Sequence, residues 1–239
     1  MSVIVIKDLC KNYKSKKALD SVGLEIESGE LFGLLGVNGA GKTTLIKILC
    51  GLTKKTSGTV RVEDYDLDGE ADKIKEIVDI SPQETSVANN LTVKENLEFF
   101  ARVYKRGAET AIAEVVEVFN LEEVLNQRAK TLSGGYKRRL SIAIALISNP
   151  KILFLDEPTL GLDVFARREL WGIIRKLKGK ITIILTSHYL EEIENLCDRV
   201  AILSKGKTLQ VGTVEEIKES AGAESFEDAF VKIVEKANG

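Results

Sequence analysis

The sequence predicts an α/β fold with a parallel sheet as its core and a helical segment inserted into that core. Short apolar segments, typical of strands buried on both faces of a parallel sheet, alternate along the chain with helical stretches. One long stretch, residues 86–148, has apolar residues at helical spacing and no convincing strand. The chain has 239 residues, which is enough for one domain with such an insertion.

The predicted strands are of two kinds. Residues 2–13 and 18–28 alternate apolar with polar side chains, which is typical of strands with one buried face. The later strands are apolar in character and cover residues 31–35, 78–80, 152–155 and 181–185. The helices predicted outside the insertion cover residues 42–50, 163–177 and 190–196. Strands and helices in this order favour parallel pairing.

We expect a single domain over residues 1–239. A short amphipathic helix is predicted at residues 225–234, where it would pack on the rest of the chain, with a contact to a partner as the alternative. The expected parts are an α/β core of residues 1–85 and 149–213, a helical subdomain of residues 86–148 and a helical tail of residues 214–239.

Composition limits the partners and the location. The formal net charge is −2, which argues against a surface for broad nucleic-acid binding, so nucleic acid is not an expected partner. The start of the chain lacks the features of a signal peptide, and no apolar run approaches the roughly 20 residues of a membrane helix. Cys10, Cys50 and Cys197 are scattered, as expected for reduced thiols in the cytosol. Any work at a membrane would be that of a peripheral partner.

The most informative motif is the phosphate loop, residues 36–44. It matches G-x-x-x-x-G-K-S/T after a predicted buried strand and before a helix. Its glycines let successive N–H groups point into one concavity, and Lys42 adds positive charge for the β- and γ-phosphates. The Thr43 hydroxyl is placed to bind Mg²⁺. The expected nucleotide-binding residues here are Gly36, Val37, Asn38, Gly39, Ala40, Gly41, Lys42, Thr43 and Thr44. The loop alone does not choose between a kinase, a GTPase and an ATPase.

A pair of acids, Asp156 and Glu157, ends the predicted strand at residues 152–155. The carboxyl ends of parallel strands lie where ligands bind, so these acids are expected beside the phosphate loop. Asp156 would reach the Mg²⁺ shell, and Glu157 would polarise an attacking water. Strand-end acids that only face solvent are the alternative.

A second glycine turn, here called the signature turn, covers residues 132–136 before another helix. Ser133 is placed as an N-cap, and Gly134 and Gly135 leave backbone N–H groups bare. The turn is therefore either a second anion site or a plain helix cap. His188 is the only histidine and follows a predicted buried strand, where an active-site edge is expected.

Together these motifs resemble the nucleotide-binding domain of ATP-binding cassette (ABC) proteins, over essentially the whole chain. The resemblance implies a P-loop NTPase fold of the RecA-like type, with the parallel core, an antiparallel β subdomain and the helical insertion. It also implies ATP hydrolysis with Mg²⁺. The catalytic residues would be Glu157, His188 and Gln83, and the metal site would use Thr43, Gln83 and Asp156. Tyr13 matches a ring that stacks on adenine, with a core tyrosine as the alternative.

The resemblance further implies that two cassettes pair head to tail when ATP binds, either as a homodimer or with a paralogue. The nucleotide of one chain would then be contacted by the other chain's Ser133, Gly134, Gly135 and Asp163. Tyr136 departs from the commonest family pattern, which has Gln at this place.

The function expected from this resemblance is that of the ATP-hydrolysing subunit of a membrane transporter, acting on transmembrane permease subunits at the cytoplasmic face. Residues 84–100 would transmit the motion. The short length and the ending at residues 225–230 resemble the drug- and antibiotic-export branch. The alternative is a soluble ABC ATPase acting on ribosomes or DNA, which usually has tandem cassettes or a long coiled-coil insertion. A P-loop kinase or GTPase would leave the signature turn unexplained.

Overall fold

A computed structural model describes residues 1–14, 16–104 and 108–238. Parts of the expected domain ranges, namely Ser15, residues 105–107 and Gly239, lie outside the described residues. The strands are β1 (Ser2–Tyr13), β2 (Lys16–Glu27), β3 (Leu31–Leu35), β4 (Ser57–Val62), β5 (Tyr65–Asp66), β6 (Val78–Ser81), β7 (Ile152–Asp156), β8 (Thr182–Ser187), β9 (Arg199–Ser204) and β10 (Lys207–Gly212). The helices are α1 (Lys42–Leu49), α2 (Leu67–Ile77), α3 (Val93–Val103), α4 (Ala108–Phe119), α5 (Gly134–Ile147), α6 (Val164–Leu177), α7 (Leu190–Leu196), α8 (Val214–Ala221) and α9 (Phe226–Asn238).

The first sheet is antiparallel, with the strand order β2-β1-β4-β5. Each of its two long strands buries one face, as the alternating pattern predicts. The buried side chains include Ile4 and Ile6 of β1 and Leu24 and Ile26 of β2, whereas the polar residues of these strands are not buried. These buried side chains pack towards the second sheet.

The second sheet is the core of the fold, with the strand order β10-β9-β3-β8-β7-β6. The strands from β9 to β6 pair in parallel, and β10 pairs antiparallel with β9 at the edge. Alternate residues of β7 enter different cores: Leu153 and Leu155 face the helices α3–α6, whereas Ile152 and Phe154 face α1 and the first sheet. This two-sided burial is why these strands are apolar throughout.

The helices over residues 86–148 form one packed layer on the sheet. Leu97 of α3, Phe119 of α4 and Leu140 of α5 belong to the same buried cluster. The start of α3 is set by a capping box, in which Thr92 Oγ1 accepts from Glu95 N at 3.1 Å and Glu95 Oε2 accepts from Thr92 N at 2.7 Å. No strand is assigned between β6 and β7 among the described residues, as the spacing predicts.

Two parts of the fold were not predicted. The segment β4-β5-α2 and the hairpin β9-β10 are absent from the sequence-based expectation, although β9 pairs directly with β3. Within the described ranges, no helix combines the length and the apolar character that crossing a membrane requires.

Candidate functional site

The phosphate loop joins β3 to α1 and lies close to neighbouring backbone. Gly39 and Gly41 have φ values of 83° and 109°, which side chains rarely allow. A Cβ on Gly36 would lie 2.4 Å from the Leu203 carbonyl oxygen, and one on Gly41 would lie 2.9 Å from that of Ala18. The loop needs glycine at these places, and the result is a backbone cradle of the kind that holds phosphate.

A cavity of about 610 Å³ opens over the loop. It is lined by Tyr13, Lys16, Ala18, Asn38, Gly39, Ala40, Gly41, Lys42, Thr43, Thr44, Gln83, Glu157, Leu160 and His188. Predicted site residues that are far apart in sequence therefore meet at one place. Gly36 and Val37 belong to the predicted set but do not line the cavity; the Val37 side chain is half exposed.

Lys42, Glu157 and His188 form one polar network. Lys42 Nζ donates to the Gly36 carbonyl oxygen at 2.5 Å and lies 3.3 Å from Glu157 Oε1. The other carboxylate oxygen of Glu157 lies 2.6 Å from His188 Nδ1. Lys42 and Glu157 are both buried, so their attraction is screened less than that of a surface pair. The Glu157 carboxylate is held between a lysine and a histidine at the mouth of the loop.

Glu157 also has an unusual backbone. Its φ is 50°, in the left-handed region that costs a non-glycine residue on the order of 1–3 kcal/mol. The strain is supported by Thr186, whose Oγ1 accepts a hydrogen bond from Glu157 N at 2.9 Å. Such strain is concentrated at functional sites, and here it directs an acid out of the end of β7.

The residues predicted to hold Mg²⁺ have the right chemistry for it. Thr43 Oγ1 donates to Asp156 Oδ1 at 3.3 Å, and Gln83 lines the same cavity. Hydroxyl, carboxylate and amide oxygens are the ligands that Mg²⁺ prefers, so the donor set fits this ion. Thr186 Oγ1 donates to the same Asp156 oxygen at 2.6 Å and orients it. Sequence reasoning missed Thr186, although a polar residue within an apolar strand was a usable signal.

The signature turn and the start of α6 lie against each other, outside the lining of the cavity. Ser133 caps α5, with its Oγ accepting from Tyr136 N at 3.3 Å, and Asp163 caps α6, with Oδ1 accepting from Phe165 N at 2.9 Å. A Cβ on Gly135 would lie 3.1 Å from the Ala166 Cβ, so the two helix starts touch. Among the described residues that line the cavity, none belongs to the set Ser133, Gly134, Gly135 and Asp163.

Tyr136, the departure from the family pattern, has a local role. The Arg139 guanidinium lies 4.9 Å from the centre of the Tyr136 ring and forms an ion pair with Glu169 of α6. The tyrosine therefore covers the pair that joins α5 to α6.

Comparison with known proteins agrees with this geometry. The sequence model of the ABC transporter family matches residues 19–160, which contain the phosphate loop, the signature turn and both strand-end acids. YbhF of Escherichia coli (strain K12), named as a probable multidrug ABC transporter ATP-binding protein, is 38% identical over 242 residues. The alignment covers 98% of this chain but only 42% of YbhF.

Two further relatives are matched over more of their length. The daunorubicin resistance ATP-binding protein DrrA3 of Streptomyces coeruleorubidus is 37% identical, over 95% of this chain and 73% of DrrA3. The linearmycin resistance ATP-binding protein LnrL of Bacillus subtilis (strain 168) is 36% identical, over 97% of this chain and 76% of LnrL.

Solved structures share the fold. An ATP-binding subunit of an ABC transporter superposes with a TM-score of 0.85 at 28% identity, covering 97% of this chain and 99% of that one. A dimeric ATP-binding cassette in a post-hydrolysis state, bound to ADP and Pi, superposes with a TM-score of 0.79 at 26% identity, covering 88% of this chain and 98% of that one. The predicted P-loop NTPase fold class is confirmed.

Proposed function

Because the chain belongs to the ABC transporter family, we propose that it is the ATP-hydrolysing subunit of a membrane transporter that exports its substrate. The observation that carries this proposal is the network of Lys42, Glu157 and His188 at the phosphate loop, since a carboxylate held beside the loop lysine supports its role as a base. Relatives named for drug and antibiotic resistance support export and favour a transporter over a soluble ATPase of ribosomes or DNA.

The nucleotide is bound by the loop N–H groups and by Lys42, with Tyr13 stacking on the adenine. Tyr13 supports this role because it lines the cavity and is 44% exposed, unlike a core tyrosine. Thr43, Asp156 and Gln83 hold Mg²⁺, which when bound withdraws charge from the phosphate oxygens.

Glu157 orients and polarises the water that attacks the γ-phosphorus, and the leaving ADP keeps the electrons of the broken P–O bond. His188 holds the carboxylate of Glu157 in place and contacts the γ-phosphate. Lys42, which pairs with Glu157 in this structure, neutralises the phosphate charge that develops.

The site is completed by a second cassette, either another copy or a paralogue, whose Ser133, Gly134, Gly135 and Asp163 contact the nucleotide. The apolar surface beside Asp163 supports such pairing. Leu160, Val164 and Phe165 are 40%, 57% and 82% exposed, and exposed apolar groups in a cluster mark an interaction surface.

The permease subunits dock on the helical subdomain, residues 86–148, so that the chain works as a peripheral subunit at the cytoplasmic face of the membrane. A groove of about 390 Å³ supports this site, because it begins just after Gln83 and has an apolar floor. It is lined by Thr85, Ser86, Val87, Ala88, Leu91, Phe99 and Phe100. Movement of Gln83 on hydrolysis would thus reach the permease directly.

Substitution of Glu157 by Gln tests the proposal. The amide keeps the shape but loses the base, so we expect kcat to fall by about 100-fold or more while ATP still binds. Size-exclusion chromatography with Mg²⁺ and ATP should then show a dimer that is absent without nucleotide. Normal hydrolysis by Glu157→Gln, or a monomer at every ATP concentration, would contradict the assignment.

A further inference from the structure

Arg138 is a buried cation on α5 that donates to backbone carbonyls. Its side chain is 4% exposed. Nε donates to the Pro158 carbonyl oxygen at 2.8 Å, and Nη2 donates to that of Asp156 at 2.8 Å. Nη1 donates to the carbonyl oxygens of Pro82 and Gln83. In the part of the chain that the structure describes, Arg138 has no ion pair with a carboxylate.

Burying a guanidinium without an ion pair is costly, so its position calls for a reason. Burial lowers the pKa of Arg138 to about 10, and the nearby carboxylates of Asp156, Glu192 and Glu157 oppose that shift. The side chain is therefore still cationic at neutral pH. Its donors have fixed directions in one plane, so the carbonyls that accept from it are held in a fixed relation to one another.

The accepting carbonyls belong to the two segments that carry the hydrolysis residues. Pro82 and Gln83 follow β6, whereas Asp156 and Pro158 are at and after the end of β7. The helix that carries Arg138 begins at Gly134, immediately after the Ser133 cap. One side chain thus links the helix that begins at the signature turn to both segments.

We propose that Arg138 is a positioning residue that couples the signature turn to the hydrolysis groups of its own chain. When that turn closes on the partner's nucleotide, Arg138 brings the backbone of Gln83 and of Asp156 into the hydrolytic arrangement. This inference rests on the proposed function, because it requires two cassettes that complete each other's sites. Among the described residues, Arg138 does not line the cavity, so its role is one of positioning.

The test compares Arg138→Gln and Arg138→Lys with the wild-type chain in steady-state hydrolysis, in ATP-binding titrations and in thermal unfolding. We expect kcat per folded molecule to fall between about 10-fold and 100-fold, while the Kd for ATP stays within about twofold. The Hill coefficient for ATP, about 2 at most for two sites, should fall towards 1. Arg138→Lys should show the same losses, because lysine keeps the charge but lacks the planar set of N–H donors.

The matched control is Arg175→Gln. Arg175 lies on α6, is exposed, and also donates to a carbonyl, that of Asn195 at 3.2 Å, but away from the cavity. It should keep the wild-type kcat and Hill coefficient. If the hydrogen bonds of Arg138 only stabilise the fold, its variants will unfold at a lower temperature and keep the wild-type kcat per folded molecule. That result would overturn the inference.

Three other results would also overturn the inference. They are wild-type kinetics in Arg138→Lys, a raised Kd for ATP with unchanged kcat in the Arg138 variants, or a Hill coefficient of 1 for the wild-type chain. If Arg138→Gln does not fold, Arg138→Lys decides the matter, since it retains the charge. If the wild-type chain neither hydrolyses ATP nor pairs, the proposed function itself is wrong. If the wild-type chain does both and the Arg138 variants have unchanged kinetics, only this inference is wrong.

Discussion

Glu157 is held before any nucleotide chemistry begins. Its backbone N–H bonds to Thr186, one carboxylate oxygen faces Lys42 and the other faces His188. In the proposed role as a base, a group restrained in this way would lose little freedom during the reaction, which would lower the barrier. The strain at φ 50° is tolerated because these contacts determine the conformation together.

Lys42→Ala should prevent nucleotide binding. Charge-assisted hydrogen bonds contribute about 1.5–3 kcal/mol each, so losing contacts to two phosphates raises the Kd for ATP by about 100-fold or more. Titration with a fluorescent ATP analogue measures this. The control is Lys47→Ala, an exposed lysine on the same helix α1, which should bind as the wild type does. An unchanged Kd for ATP in Lys42→Ala would show that Lys42 of the phosphate loop does not bind the nucleotide.

At the scale of secondary-structure elements, α7 carries a buried acid behind the site. Glu192 is fully buried and its Oε1 accepts from Trp171 Nε1 at 3.1 Å. Burial raises the pKa of Glu192, and the nearby polar groups of Ser187, Thr159 and Trp171 partly oppose this. The element that follows His188 is therefore joined to α6 by a carboxyl group that resists ionisation.

This acid should make stability depend on pH. The folded pKa of Glu192 lies above its unfolded value of 4.5, so its contribution is fully present below that pH. The contribution is lost as pH rises through the folded pKa, by up to about 1.4 kcal/mol per pH unit. The free energy of unfolding of the wild type should thus fall relative to Glu192→Gln as pH rises, measured by urea unfolding.

The control for this series is Glu194→Gln, an exposed acid on the same helix, which should follow the wild type at each pH. A wild-type minus Glu192→Gln difference that is constant with pH would show that Glu192 does not bind an extra proton in the folded state.

At the scale of the whole molecule, the signature turn lies outside the cavity that opens over the phosphate loop. The cavity includes Lys42 and excludes Ser133 among the residues described. Ser133 and Gly134 are nevertheless exposed, with a helix start free to meet an anion from outside the chain. The head-to-tail pairing proposed above would bring the signature turn of one chain to the phosphate loop of another.

Mixing two inactive variants tests this pairing. Lys42→Ala and Ser133→Arg each damage both sites of their own homodimer. A mixed dimer places both defects in one site and leaves the other intact, so hydrolysis should return. With random pairing, up to about a quarter of wild-type activity is expected, since half of the dimers have one good site of two and coupling between the sites lowers the yield further. A phosphate assay on each variant and on the mixture measures it. No gain on mixing would mean that the chain does not share its sites.

Much of the fold followed from local patterns. The buried strands β3, β7 and β8 were predictable because a strand packed on both faces must be apolar along its length. The hairpin β9-β10 was missed although β9 is also apolar, since nothing nearby in the sequence indicates that it pairs with β3. Its place in the sheet is decided by long-range backbone hydrogen bonds, which leave no local periodicity.

The same division holds for the site. The amino-acid sequence by itself determined the phosphate loop, because phosphate binding needs glycines, a lysine and a hydroxyl at a fixed, short spacing. Only the tertiary structure decided that Lys42 faces Glu157, that Thr186 bonds to Asp156 and that Arg138 joins α5 to the backbone at the ends of β6 and β7. These contacts join residues brought together by the parallel sheet and by packing of the helical layer on it, and separations of this size along a chain carry no signal in a single sequence.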